Sequence, residues 1–228
     1  MAWLQSLRRE LACWKRLLFE APLYGLLLLA AAAGVLAYQV RTPLRVDVGG
    51  LHDAPYLSSF HEPEPDPVQF PDAQESFRWT REEVGIDLLG LGQQPLEVRL
   101  RMQGFRPAGE PPAQASLWVG GQQLLAAPVG STAQVYRILV PPHLVPAGDL
   151  HLELRSTTFR AYGDARDLGV TVDWVEAAPA GVGWVVPSWY QVGALAGITL
   201  LAHLLLRRLG LSRRWTAAAV GAAIVLLG

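Results

Sequence analysis

The sequence predicts an all-β sandwich inserted between transmembrane α-helices. Three observations carry that prediction. Two long apolar runs, Ala21–Val40 and Val182–Leu206, hold no Asp, Glu, Lys or Arg and flank the middle of a 228-residue chain. Between Arg41 and Pro179 apolar residues recur with period two, and no helical period of useful length is present. Proline and glycine clusters cut that stretch into short segments, the pattern of a two-sheet fold.

Residues 1–20 read as a cytoplasmic basic leader carrying Arg8, Arg9, Lys15 and Arg16. Residues 21–40 follow as the first transmembrane helix. Twenty residues at about 1.5 Å rise cover about 30 Å, the hydrocarbon thickness of a bilayer. The basic leader places the N-terminus in the cytoplasm and the chain outside from Arg41. The rival is a cleaved signal peptide with a small-residue site before Tyr38; the length of the run and of its leader favours an anchor. Cys13 is the only cysteine, which excludes an internal disulfide. It precedes the apolar run, so it is not a lipoprotein cleavage site and reads as a juxtamembrane residue without a special role.

Residues 41–180 form the extracytoplasmic β-sandwich. In LEVRLRM, Leu96, Val98, Leu100 and Met102 alternate with Glu97, Arg99 and Arg101. Leu150, Leu152 and Leu154 alternate with His151, Glu153 and Arg155. Val84, Ile86 and Leu88 share a face, as do Tyr136, Ile138 and Val140, and Leu168, Val170, Val172 and Trp174. SLWVGGQQLL is a hairpin turning at Gly120–Gly121. With LRVDV and SFRWT this gives eight or nine strands, the content of a two-sheet sandwich. The proline-rich acidic stretch Glu62–Glu75 is expected to be an extended loop.

Residues 182–206 are the second transmembrane helix, running inward. Trp184, Trp189 and Tyr190 lie at its outer end, Pro187 fits its first turn, and Arg207, Arg208, Arg213 and Arg214 follow it. His203, near the inner end, reads as snorkelling or solvated. Residues 207–214 make a tight cytoplasmic loop. Residues 215–228 are too few to span, and read as a third helix cut off in mid-membrane; the rival is a genuine C-terminus with a short re-entrant helix. The location expected is a bacterial cytoplasmic membrane. The single lysine beside eighteen arginines, with abundant Ala, Leu and Gly, suits a GC-rich bacterial genome.

Charge narrows the function. Residues 41–180 carry eleven Arg against eighteen Asp and Glu, an acidic balance that argues against nucleic acid as a partner. No phosphate loop, nucleophile elbow or dinucleotide fingerprint is present, and the sequence implies no cofactor. The five histidines are scattered, so no zinc site is expected. Glu62, Glu64, Asp66, Asp72 and Glu75 are oxygen donors of the kind calcium takes, but the prolines spread them along the chain and a solvated acidic loop is the simpler reading. Trp118 has the parity opposite to Leu117 and Val119, which points it outward, where an indole can stack on a sugar ring or pack on a neighbouring strand. Trp79 and Trp174 share parity with Phe77 and with Val172, and read as core. Asp164 and Arg166, in GDARDLG, either pair with each other to fix the last crossover or recognise a polar ligand at a loop tip.

The segment TFRAYGDARDLGVTVDWVEA resembles the closing part of the galactose-binding-like (jelly-roll) β-sandwich modules that accompany bacterial glycosyltransferases. The matching positions are Phe159, Gly163, Asp164, Arg166, Leu168 and Gly169, with Ala161 and Tyr162 where a proline-containing version is commoner. DVGGLHDAPYLSSFHEPE and FRWTREE resemble the first outer segment of multispanning glycosyltransferase-like proteins, distant relatives of protein O-mannosyltransferases. The likeness covers most of residues 20–180. It implies a GT-C-type enzyme using a lipid-linked sugar, with Asp53 matching the catalytic acid of the first outer loop; Ala54 stands where the family has a second acid.

Two functions remain open on sequence. One is a membrane-anchored sandwich that binds or positions glycan as part of a glycosyltransferase-like protein. The other is a non-catalytic subunit of a membrane complex that uses the sandwich for protein contacts. The partners expected are the lipid bilayer, a glycan or lipid-linked sugar, and other membrane subunits. The topology has a direct test. With Cys13→Ser and Ala108→Cys, an impermeant thiol reagent should label intact spheroplasts; labelling only after lysis reverses the orientation.

Overall fold

The structure, a computed structural model, describes residues 2–65 and 76–227. The chain divides into two units, Arg41–Val186 and the paired segments Met1–Val40 and Pro187–Gly228. In chain order the elements are α1 (Ala2–Leu18), α2 (Ala21–Ala37), β1 (Leu44–Asp47), β2 (Leu57–Ser58), β3 (Pro63–Pro65), β4 (Ser76–Trp79), β5 (Glu83–Leu88) and β6 (Leu96–Gln103). Then come β7 (Ala113–Val119), β8 (Gln122–Val129), β9 (Gln134–Val140), β10 (Leu150–Ser156), β11 (Thr171–Pro179), α3 (Trp189–Arg208) and α4 (Arg213–Leu227).

The unit Arg41–Val186 is an all-β sandwich of two antiparallel sheets. The first has the order β3-β4-β11-β6-β9, with β1 also paired to β11; the second has the order β2-β5-β10-β7-β8. Alternation makes the core. Leu96, Val98, Leu100 and Met102 of the first sheet meet Val84, Ile86, Leu88, Leu117, Leu150, Leu152 and Leu154 of the second, and each is at most 2% exposed. Burying each such side chain contributes about 1.5–3 kcal/mol relative to exposure. The outer face of the first sheet carries ion pairs between Arg99 and Glu97 (2.8 Å) and between Arg101 and Asp173 (2.8 Å).

Among the described residues there are eleven strands rather than eight or nine. The additional pairings include two short pieces, Leu57–Ser58 and Pro63–Pro65. The first part of the expected acidic loop is therefore a strand, in register Pro63↔Arg78 and Pro65↔Ser76. It takes two prolines because it lies at a sheet edge, where a missing N–H breaks no ladder bond. Asp66, Asp72 and Glu75 lie outside the described residues. Trp174 is not core. A bulge between Val172 and Trp174 shifts the register against β6 and passes the inward parity to Val175 and Ala177. Trp174 lies on the outer face with the Arg45 guanidinium 4.3 Å from its ring centre.

A buried polar node joins the two sheets. Thr80 Oγ1 and Ser156 Oγ are 2.9 Å apart, and the Val170 N–H donates to Thr80 Oγ1 at 2.9 Å. Gly169 fits because it has no side chain. A Cβ there would lie 2.2 Å from each hydroxyl and 3.0 Å from the Arg81 carbonyl oxygen.

In the helical unit, Leu26 and Ala30 of α2 meet Val220 and Ile224 of α4, and Leu195, Ala202 and Leu206 of α3 pack against them. The opposite surfaces are also apolar: Leu28, Ile198, Leu201, Leu205, Val225 and Leu226 are all more than half exposed. Trp189–Arg208 is long and apolar enough to cross a membrane. It begins later than the apolar run does. Val182–Ser188 is non-helical, with Gln93 bridged to Val186, so Pro187 precedes the helix instead of opening it. The leader is itself helical over Ala2–Leu18. His203 is not solvated but wholly buried, with Nε2 3.4 Å from Glu20 at the break between α1 and α2. Arg207 donates to both Glu20 oxygens at 2.9–3.3 Å, and Arg213 to one at 3.2 Å.

Gly169→Ala should destabilise the sandwich by about 3 kcal/mol, since relief of the overlap turns both hydroxyls out of their bonds. Gly163→Ala, at φ 83° with open space around it, should cost about 1 kcal/mol through backbone strain alone. Denaturant unfolding of the two variants checks the order; equal effects would refute the steric role of Gly169.

Candidate functional site

The outer face of the second sheet is built from cross-strand rows. Ser58, Gly85, Glu153, Trp118 and Gln123 lie side by side across β2, β5, β10, β7 and β8. The next row is Glu83, Arg155, Ser116 and Ala126, and on the other side Asp87 lies beside His151. Gly85 has no side chain, and a Cβ there would come within 2.4 Å of Ser58 Oγ. The missing side chain leaves a depression of about 410 Å³ bounded by Ser58, Ser59, Asp87, Trp118, His151 and Glu153.

Trp118 is half-buried on this face, and its Nε1–H donates to Ser116 Oγ at 3.0 Å. The Arg155 guanidinium carbon lies 4.9 Å from the indole ring centre. Arg155 also pairs with Glu153 and, at 3.3 Å, with Glu83. His151 Nδ1 is 2.7 Å from Asp87 Oδ1. A second depression of about 580 Å³ continues past Arg155 and Glu83 toward Gln114, Ser156 and Thr158. Ser59, at φ 65°, is held in the left-handed region at the rim, a strained conformation of the kind that gathers at ligand sites. The arrangement offers one aromatic surface among hydroxyls and carboxylates. An indole face takes the C–H side of a sugar ring, and the polar groups take its hydroxyls.

Asp53 stands elsewhere. Its side chain is 1% exposed and accepts hydrogen bonds from Arg78 Nε (2.6 Å), Arg78 Nη2 (2.9 Å) and the Gly49 N–H (2.6 Å). Arg78 Nη1 reaches the His61 carbonyl at 3.0 Å. The carboxylate thus holds the loop after β1 against β4.

Asp164 and Arg166 meet each other. Arg166 Nη2 lies 2.7 Å from Asp164 Oδ2, its backbone N–H donates to Asp164 Oδ1 at 2.9 Å, and its Nη1 reaches Glu64 of β3 at 2.7 Å. Beneath the loop Trp79, Phe159 and Leu168 form a small core, with Phe77 and Phe159 edge-on to Trp79. Phe159 and Leu168 exchange both backbone bonds at 2.9 Å. The loop residues and Asp53 belong to the first sheet's surroundings, whereas Trp118 belongs to the outer face of the second. Sequence reasoning found Trp118 but not Glu83, Asp87, His151, Glu153 or Arg155. Each has outward parity in an alternating strand; their convergence depends on strand order.

No protein-family model and no curated protein matches the chain. Solved structures do. The C-terminal CBM6 of LamC, a marine laminarinase from Zobellia galactanivorans, is 11% identical over 60% of this chain and 99% of that one, with a TM-score of 0.37. A GH26-CBM35 β-(1,4)-mannanase of Podospora anserina is 7% identical, covering 62% of this chain and 28% of that one, with a TM-score of 0.37. The ANX1 ectodomain from Arabidopsis thaliana is 12% identical over 60% of this chain and 41% of that one, with a TM-score of 0.42. At these scores the sandwich assignment rests on the chain's own two sheets.

Pairing with Arg166, through its side chain and its backbone N–H, lowers the Asp164 carboxyl from the ordinary 3.8 to about 2. A folded-state pKa below the unfolded one means that the pair's stabilisation is complete above about pH 4 and is lost as pH falls toward 2. The stability difference between wild type and Asp164→Asn should therefore be constant near neutrality and shrink between pH 4 and 2. A difference independent of pH across that window would show that the pair does not titrate as a unit.

Proposed function

We propose that this chain is a membrane-anchored, extracytoplasmic β-sandwich module that binds glycan on the outer face of its second sheet, as part of a glycosyltransferase-like membrane protein. The observation that carries the glycan reading is Trp118, set outward at the edge of a polar depression. The membrane reading draws on helices that are apolar on their exposed surfaces, on the 20-residue length of α3, and on arginines at its inner end. The parent enzyme class draws on the sequence resemblance alone. The chain itself performs no catalytic step in this reading: Asp53 anchors the first loop through Arg78, and Asp164 with Arg166 closes the last crossover.

A second reading, a subunit using the sandwich for protein contacts, draws on β9. This edge strand exposes Val135 (44%) and Leu139 (65%) on the outside of the first sheet. The two readings use opposite faces and separate by mutation.

The full chain in detergent micelles should bind members of a neutral oligosaccharide panel. Trp118→Ala should weaken that binding at least about tenfold while the sandwich keeps a cooperative melting transition, because the half-buried ring lies on the outer face and not in the core. Val135→Ser with Leu139→Ser should leave it intact. Absence of any binder, or full binding by Trp118→Ala, would remove the glycan function and leave the protein-contact reading.

A further inference from the structure

We infer that the outer face of the second sheet selects sugars without negative charge, taking neutral and amino-bearing glycans and rejecting those that carry carboxylate, sulfate or phosphate; this deepens the glycan reading and rests on it. Glu83, Asp87 and Glu153 line the first depression, and Glu82 with Glu83 the second. These four carboxylates face one guanidinium, Arg155, and one imidazole, His151.

The cation does not offset the carboxylates in a way a ligand anion can use. Arg155 is shared between Glu83 and Glu153, and its guanidinium carbon lies over the Trp118 ring, 4.9 Å from the ring centre. An incoming carboxylate would have to compete with two carboxylates already held by that guanidinium, while standing among the rest. His151 is turned to Asp87 at 2.7 Å. A neutral sugar meets acceptors suited to its hydroxyl protons. An ammonium on the ring gains attraction in addition, and stacks its neighbouring C–H groups on the indole.

Position sharpens the selectivity. Glu153 is the direct cross-strand neighbour of Trp118, one strand spacing from the stacking ring, and Glu83, on β5 two strands from it, is the direct neighbour of the Arg155 that lies over that ring. A charged group on a sugar stacked at Trp118 cannot avoid them. All are solvent-accessible, so the discrimination is electrostatic and screened by salt.

The test uses the full chain in detergent micelles and three hexamers of one β-1,4-linked pyranose: glucose, glucosamine and glucuronate. Titration calorimetry at low salt should show the glucose and glucosamine forms binding, and the glucuronate form at least about tenfold weaker than glucose. At about 0.5 M salt the gap should close to roughly twofold. In Glu83→Gln/Asp87→Asn/Glu153→Gln, the gap should close likewise at low salt. The salt series on wild type stands in if that variant fails to fold. Equal affinity for glucose and glucuronate hexamers, or a gap unmoved by both salt and neutralisation, would overturn the selectivity while leaving glycan binding in place. No binding of any hexamer would overturn both.

Discussion

The sandwich depends on two buried hydroxyls. Thr80 directly follows β4 of the first sheet and Ser156 ends β10 of the second, and both are at most 6% exposed. One assignment satisfies every group: the Val170 N–H donates to Thr80 Oγ1, Thr80 donates to Ser156, and Ser156 donates to the Arg81 carbonyl at 3.3 Å. Thr80 and Gly169–Val170 also exchange backbone bonds at 2.8 Å. A chain of this kind stiffens when complete, and is costly when one member is missing, because each remaining group is then buried without a partner. It fixes where β11 begins. The register of β11 against β4, and against β6 as far as Val172, follows from that start, and the bulge before Trp174 resets it beyond.

The same node explains why a polar loop can be closed so tightly. Phe159 leaves Ser156 by a few residues and returns through Leu168 to Gly169, with Trp79 as the packing surface beneath. Arg106 crosses over Phe159, 4.6 Å from its ring centre, and donates to the Gly169 and Thr157 carbonyls at 2.9 and 2.5 Å. Asp164 and Arg166 then act on top of an arrangement already fixed below them. Their link to Glu64 ties the loop to the proline-bearing edge strand.

Much of this was legible in the residues, where a local rule sufficed. The period of two in Leu96–Met102 and Leu150–Leu154 named the inward faces, and the parity of Trp118 against Leu117 and Val119 set it outward. What was not legible depended on one extra residue or on distant pairing. The bulge at Asp173 reversed the parity of Trp174, and nothing in the alternation VTVDWV marks it. The Asp53–Arg78 pair joins residues from the loop after β1 and from β4, which only the fold brings together. The carboxylates around Trp118 come from β5 and β10, strands whose paired residues lie 62 to 72 positions apart in the chain. Val182–Ser188 is apolar enough to read as membrane helix, yet its backbone is used by the bridge at Gln93. His203 shows the converse error. A histidine near a helix end reads as solvated until the break between α1 and α2 places Glu20 against it.

The candidate site follows from what the core leaves over. An alternating strand that commits Val84, Ile86 and Leu88 inward must put Glu83, Gly85 and Asp87 outward, and β10 does the same with His151, Glu153 and Arg155. The order β5-β10-β7 then sets a glycine and a carboxylate beside the tryptophan. Arg155 ties the two depressions together, since it lies over the ring while pairing with carboxylates on both sides. The pairs are half-exposed and therefore weak, of the order of 1 kcal/mol or less each. A guanidinium held so lightly can turn aside at small cost when a ring of comparable breadth takes its place on the indole. The surface is thus preformed in its floor, which the core fixes, and adjustable in its one cation, which the core does not.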